Sequence, residues 1–195
     1  MAILSDEKIG PDCSIALKEW GVVCEALAAG TQTLLFRKGG IHEGPQGFQP
    51  EHSDFWLYPT GFHQTADGVR EEFRPFARKI LSSPPPAECV LIRHFCQVTG
   101  VRWCSDLTQI QELRAWHILT DEAVSTRFFY RRPGLFVLGV KVFSLKETVR
   151  IPHLAAYDGC QSWVQLQGAV SLQGLEKSGL GGTADGPGLQ AWLNQ

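Results

Sequence analysis

The sequence predicts an α+β domain built on a strongly curved, mostly antiparallel sheet with peripheral helices. Read in order, its segments run α-β-β-α-β-α-β-α-β-β, without the regular strand–helix alternation of a parallel sheet. Residues 88–98 are apolar on both faces for half their length, as central strands are, and Leu135–Leu145 is the longest strand-like run. At 195 residues, 44% hydrophobic and 19% charged, the chain can build a substantial core and is too apolar for wholesale disorder.

Residues 1–13 read as a polar lead-in broken by Gly10-Pro11, and residues 14–167 as the folded domain. Leu17, Trp20, Cys24 and Leu27 recur at three- and four-residue spacing, which predicts a helix capped by Asp12 or Ser14 and stopped at Gly30. Two strands follow. Thr33–Phe36 ends in Arg37-Lys38-Gly39-Gly40, and Phe55–Tyr58 ends in Pro59-Thr60-Gly61-Phe62-His63-Gln64. Together they would bring this chemistry to one sheet edge.

Asp67 would cap a second helix with a Val69, Phe73, Phe76 and Ile80 stripe, bent or restarted at Pro75. Thr99-Gly100 would turn strand 88–98 toward Val101–Cys104. Ser105 or Asp106 starts a third helix, His117–Leu119 is a short strand, and Thr120 opens a helix carrying Phe128. Pro133-Gly134 turns the chain into Leu135–Leu145, and Ser162–Leu166 follows the Asp158-Gly159 turn. Glycines interrupt any period over residues 168–195, predicting a mobile tail in which Leu189, Trp192 and Leu193 can dock as a short helix.

Net charge is −2, so an anion site has to come from local clustering. The six cysteines form no C-x-x-C pair. With no signal-like core in residues 1–13 and no apolar run of about 18 residues, the expectation is reduced thiols, a cytoplasmic location, no membrane span and no cofactor.

Arg37-Lys38-Gly39-Gly40 is the best anion-binding candidate, because two cations beside two glycines let charge and backbone N–H groups converge on phosphate. It lacks the P-loop pattern, and a glycine turn with solvated cations explains it equally. On this reading Thr60 and His63 orient the ligand, Trp56 or Phe62 stacks on it, and neutralising Arg37 and Lys38 leaves the fold intact. Residues 127–150 carry six cations (Arg127, Arg131, Arg132, Lys141, Lys146, Arg150) against Glu147, a net +5, with Phe128, Phe129 and Tyr130 among them. Interleaved aromatics can stack bases, although such rings also fill cores. Glu43, His52, Asp54 and His63, with Glu51, offer donors for a divalent metal, in a spacing that matches no established motif. A Cys160 nucleophile with His153 is weaker than a plain glycine turn at Asp158-Gly159.

Leu17-Lys18-Glu19-Trp20, Glu25-Ala26-Leu27, Leu35-Phe36-Arg37-Lys38-Gly39-Gly40-Ile41 and Phe55-Trp56-Leu57-Tyr58-Pro59-Thr60 carry a resemblance. So do His63-Gln64, Arg127–Tyr130 through Leu135, and Cys160–Trp163. The chain resembles the bacterial, largely cyanobacterial domain-of-unknown-function family 1802, over about residues 15–166. That family has no established activity. Its occurrence beside restriction-endonuclease-like domains implies a link to DNA modification or defence, though no nuclease domain is attached here. The predicted sheet is also similar to a PUA-like open barrel. The leading reading is nucleic-acid or nucleotide recognition; a metal-dependent phosphoesterase or nuclease is the alternative, and a protein-interaction adaptor the third. Whether the protein is an enzyme stays open.

Overall fold

The computed structural model describes residues 10–39, 41–44, 47–61, 64–84, 86–159, 161–178 and 187–195, with only the backbone at 41–44, 47–49 and 187. Its first element departs from the sequence expectation. Asp12–Trp20 is a strand, β1, and the first helix, α1, spans only Gly21–Ala28. Both faces of β1 are buried: Leu17 packs into one apolar cluster and Ala16 into another. A strand buried on both sides shows no period of two, so Leu17 and Trp20 run on into the genuine helical spacing of Cys24 and Leu27. Trp20 is partly exposed and ends β1 instead of lying on a helix; its ring takes the stacking role described below.

Among the described residues seven strands form the main sheet. They are β1, β2 (Leu34–Arg37), β5 (Asp54–Thr60), β6 (Cys89–Cys104), β7 (Leu135–Pro152), β8 (Trp163–Ser171) and β9 (Glu176–Lys177). The order is β2-β7-β6-β5-β1-β8, with β9 also on β7; among the described residues only the β1–β5 ladder is parallel. β3 (Ile41–Gly44) and β4 (Gly47–Pro50) pair separately. The two early strands are therefore not neighbours, because β7 and β6 lie between β2 and β5.

Curvature brings their ends together instead. Phe55 and Leu57 point to the cluster covered by the helices, while Trp56 and Tyr58 point to the other, shared with Val90, Ile92 and Phe95 of β6 and Val164, Leu166 and Val170 of β8. Strands from both halves of the sheet wrap this second cluster. Arg37, on the terminal strand β2, consequently reaches β1 and donates to the Lys18 carbonyl at 3.2 Å. The sheet stays open, since no ladder joins β2 to β8 among the described residues.

Thr99-Gly100 is not a turn but an irregularity inside β6, where the register against β7 shifts between Val98 and Gly100. Asp67 caps no helix; it lies in the 3-10 turn Ala66–Gly68, and Val69 bridges to Leu119. Helix α2 (Arg74–Leu81) restarts at Pro75, as proline near a helix start allows. α3 (Leu107–Gln111) and α4 (Asp121–Phe129) start where the sequence places them: of the two cap candidates Asp106 accepts from Thr108 N–H at 2.8 Å, and Thr120 accepts from Ala123 N–H at 3.2 Å. Residues 168–171 continue β8, and α5 (Pro187–Leu193) buries Leu189, Trp192 and Leu193.

One buried histidine makes stability depend on pH. His117 is 1% exposed, packs edge-on against Phe36, and accepts from Leu119 N–H through Nδ1 at 3.1 Å. Burial, helped by Arg70, pulls its pKa from 6.5 down to about 4. The unfolded chain binds this proton more readily, so stability is fully present above pH 6.5 and is lost as pH falls toward 4. The full loss is about 3 kcal/mol. Urea unfolding of the wild type and His117→Gln at neutral pH and near pH 4.5 should show a smaller pH effect in the variant; equal losses would contradict it.

Candidate functional site

The C-terminal ends of β1, β2 and β5 meet the end of α4, the start of β6 and residues Tyr157, Asp158, Gly159 and Ser162 around a cleft of about 1190 Å³. Among the described residues it is lined by six cations, Lys18, Arg37, Lys38, Arg127, Arg131 and Arg132, against the carboxylates Glu19 and Asp158. These cations come from positions 18 to 132 in the chain, and the fold gathers them in one recess. The two basic stretches of the sequence thus become a single surface.

Glu19 organises its floor. The side chain is 3% exposed; Oε1 accepts from its neighbour Trp20 N–H at 2.8 Å and from Arg127 at 3.4 Å, and Oε2 lies 3.5 Å from Arg37. Arg127 also stacks on the Trp20 ring, 4.4 Å from its centroid. Burial pulls the Arg37 guanidinium below its usual pKa, opposed by Glu19 and reinforced by Arg127. Arg37 is therefore a braced cation at the base of the cleft, not a solvated turn residue.

Lys38 has a different task from the one the sequence predicts. Its ammonium donates to the carbonyls of Phe128 at 2.6 Å, Gly134 at 2.7 Å and Arg132, so all three donors hold the end of α4 and the loop after it. Desolvation, with Arg132 nearby, lowers its pKa. Gly134 is required in that loop: φ is 118°, and a Cβ would lie 2.2 Å from Trp103. Lys18 similarly braces the far wall through the carbonyls of Tyr157 and Gly159. These lysines contribute field to the cleft while their donors support its walls.

The α4–β7 loop carries the exposed side chains of the cleft. Arg131 and Arg132 are exposed, and Tyr130 is 57% and Phe129 58% exposed. Arg131 stacks on Tyr130 and Arg132 on Trp103, both at 5.2 Å. Arg131 holds φ at 63°, a left-handed conformation that disfavours a side chain. Substitution by glycine relieves about 1–2 kcal/mol of that strain and adds about 0.5–1 kcal/mol of unfolded-state freedom. Arg131→Gly is expected to melt at or slightly above the wild-type temperature; a drop of several degrees in calorimetry would refute this.

Opposite, Tyr58 lines the cleft as a neutral phenol, its pKa raised to about 12 by burial and then by Asp158. Thr60 lines it too, its hydroxyl donating to the Glu19 carbonyl at 3.2 Å. Gly39 is at the rim, where a Cβ would meet nothing within 4 Å.

The remaining candidates fall elsewhere. Trp56 is 0% exposed, donates to the Cys13 carbonyl at 3.1 Å and packs on Phe95, so it is a core residue and no stacking platform. Its place on β5 points it into the second cluster. His52 and Asp54 sit at the opposite end of β5 from Thr60: His52 packs against Trp163, and Asp54 accepts from Gln97 at 3.0 Å and Ser53 at 2.6 Å. Among the described residues no three potential ligands gather as a metal site. Gly40, Phe62, His63 and Cys160 lie outside the described residues, as does the Glu43 side chain; His153 contacts Asp158 at 3.2 Å. Sequence reasoning missed Lys18, Glu19 and Trp20 because it placed them on a helix.

No described helix is long and apolar enough to cross a membrane. The fold is similar to the crystal structure of ASCH from Zymomonas mobilis (TM-score 0.43, 15% identity, 78% of this chain and 87% of that one). A mutant of the same Zymomonas mobilis protein gives TM-score 0.44 and 14% identity over 80% of this chain and 91% of that one. No curated protein matches. The family model for a domain of unknown function, DUF1802, matches residues 16–176. With that match running from β1 to β9, the chain belongs to the DUF1802 family.

Proposed function

We propose that the cleft recognises phosphate-bearing ligands, and single-stranded nucleic acid in particular. The observation that carries this is the convergence of six cations on one recess of a chain whose net charge is −2. Arg131 and Arg132 contact phosphate, Arg37 and Arg127 hold the floor positive, and Tyr130 offers an exposed ring for a base. Aromatic and arginine side chains mixed along one groove suit unpaired bases better than a duplex, whose rings are already stacked.

The test is retention of labelled single-stranded DNA, single-stranded RNA and duplexes, with and without Mg²⁺ or Mn²⁺. Single strands should be retained and recovered intact. Metal-dependent cleavage would instead favour a phosphoesterase, and absence of retention would remove the proposal.

A further inference from the structure

Beside the cleft lies a second recess of about 310 Å³, bordered by Gly21, Glu25, Gln64, Arg93, His94 and Thr148 among others. Pro59, Thr60, Gly61 and Leu91 border both. The pairing explains why. The β5–β6 ladder ends at Trp56↔Phe95, while β6 continues back to Cys89 on β7 alone. The end of β5 and the first half of β6 therefore part, and the two recesses flank that split.

The smaller recess has the polar complement of a base-reading site. Glu25, from α1, is 45% exposed and faces it as an acceptor. His94 is 5% exposed and fixed between two partners, Ser144 Oγ at 2.7 Å from Nδ1 and Glu25 Oε1 at 3.3 Å from Nε2. A carboxylate only accepts, so Nε2 donates to Glu25. That hydrogen bond, above all, holds the Glu25 carboxyl below its usual pKa and keeps it ionised. Gln64 accepts from Val22 N–H through Oε1 at 3.2 Å, which fixes its amide so that Nε2 is the donor end. Arg93, held by the Leu145 carbonyl at 3.2 Å, supplies further donors. A recess of this size holds one base and not a chain.

We infer that this recess takes a single unstacked guanine from a strand whose phosphates lie in the basic cleft, an inference that rests on the reading of that cleft. A fixed carboxylate matches the two adjacent donors of guanine, N1–H and the N2 amine, and the amide and guanidinium match its O6 acceptor. Adenine and cytosine each present an acceptor where guanine presents N1–H, so against them the carboxylate is left facing a lone pair. Uracil and thymine offer one N–H and no amine.

Anisotropy titrations of the full chain with labelled short oligothymidylates test it, each strand carrying one central guanosine, inosine, adenosine or cytidine. Guanosine should bind about tenfold more tightly than adenosine, with inosine between them because it lacks the N2 amine. Glu25→Gln should bind all four alike, at the wild-type adenosine level. Equal wild-type affinity for all four overturns this inference and leaves the cleft reading standing. No wild-type binding to any strand overturns both. The inosine comparison uses wild-type protein, so it decides even if Glu25→Gln misfolds.

Discussion

Replacing Glu19 by alanine is expected to destabilise the protein by about 3–5 kcal/mol. The carboxylate is 3% exposed and stands between Arg37 at 13% and Arg127 at 21% exposure. Without it, two guanidiniums face each other across a buried floor with no counter-charge. Arg37→Ala should also be costly, since it leaves Glu19 half-paired. That corrects the expectation that the Arg37-Lys38 cations are dispensable for folding. Urea unfolding measures both; an unchanged midpoint for Glu19→Ala would mean that water replaces the carboxylate between the two arginines.

Trp56→Ala is expected to cost about 3–5 kcal/mol, the range for emptying a fully buried aromatic site. The ring is 0% exposed, meets Phe95 at 5.1 Å and satisfies its N–H on the Cys13 carbonyl. Trp56→Phe should recover most of the loss, retaining the packing but not the hydrogen bond. Ligand affinity per folded molecule should not change, because Trp56 does not line the cleft. Loss of binding at full stability would restore its predicted role as a stacking platform.

Sequence reasoning succeeded where one residue pattern had one physical meaning. Asp106 was legible as one of two cap candidates because the backbone N–H groups at a helix start need a side-chain acceptor, and Thr120-Asp121-Glu122 as a helix start because acidic residues favour that end of the dipole. β7 was legible in part from its apolar run, although the strand extends to Pro152 through polar residues held by pairing with β6. β1 was illegible because Ala16 and Leu17 are both buried, on opposite faces. The site followed the same logic. Arg37, Lys38, Thr60 and the 127–132 arginines could be chosen by composition, and the cleft gathers them. Their roles depend on partners remote in sequence: Lys38 braces carbonyls about 90 residues away, and Glu19 unites β1, β2 and α4. No local window contains that information.

The central claim, that the cleft engages phosphates through Arg131 and Arg132, is tested most directly by salt dependence. Affinity of a labelled single-stranded oligonucleotide would be measured over a range of salt concentrations for the wild type and for the double variant Arg131→Gly, Arg132→Ala. Each lost phosphate contact should reduce the slope of log affinity against log salt by about 0.7. The variant should therefore bind more weakly, with a slope shallower by about 1.4 at unchanged thermal stability. An identical slope in the two proteins, or no wild-type binding even at low salt, would contradict the account.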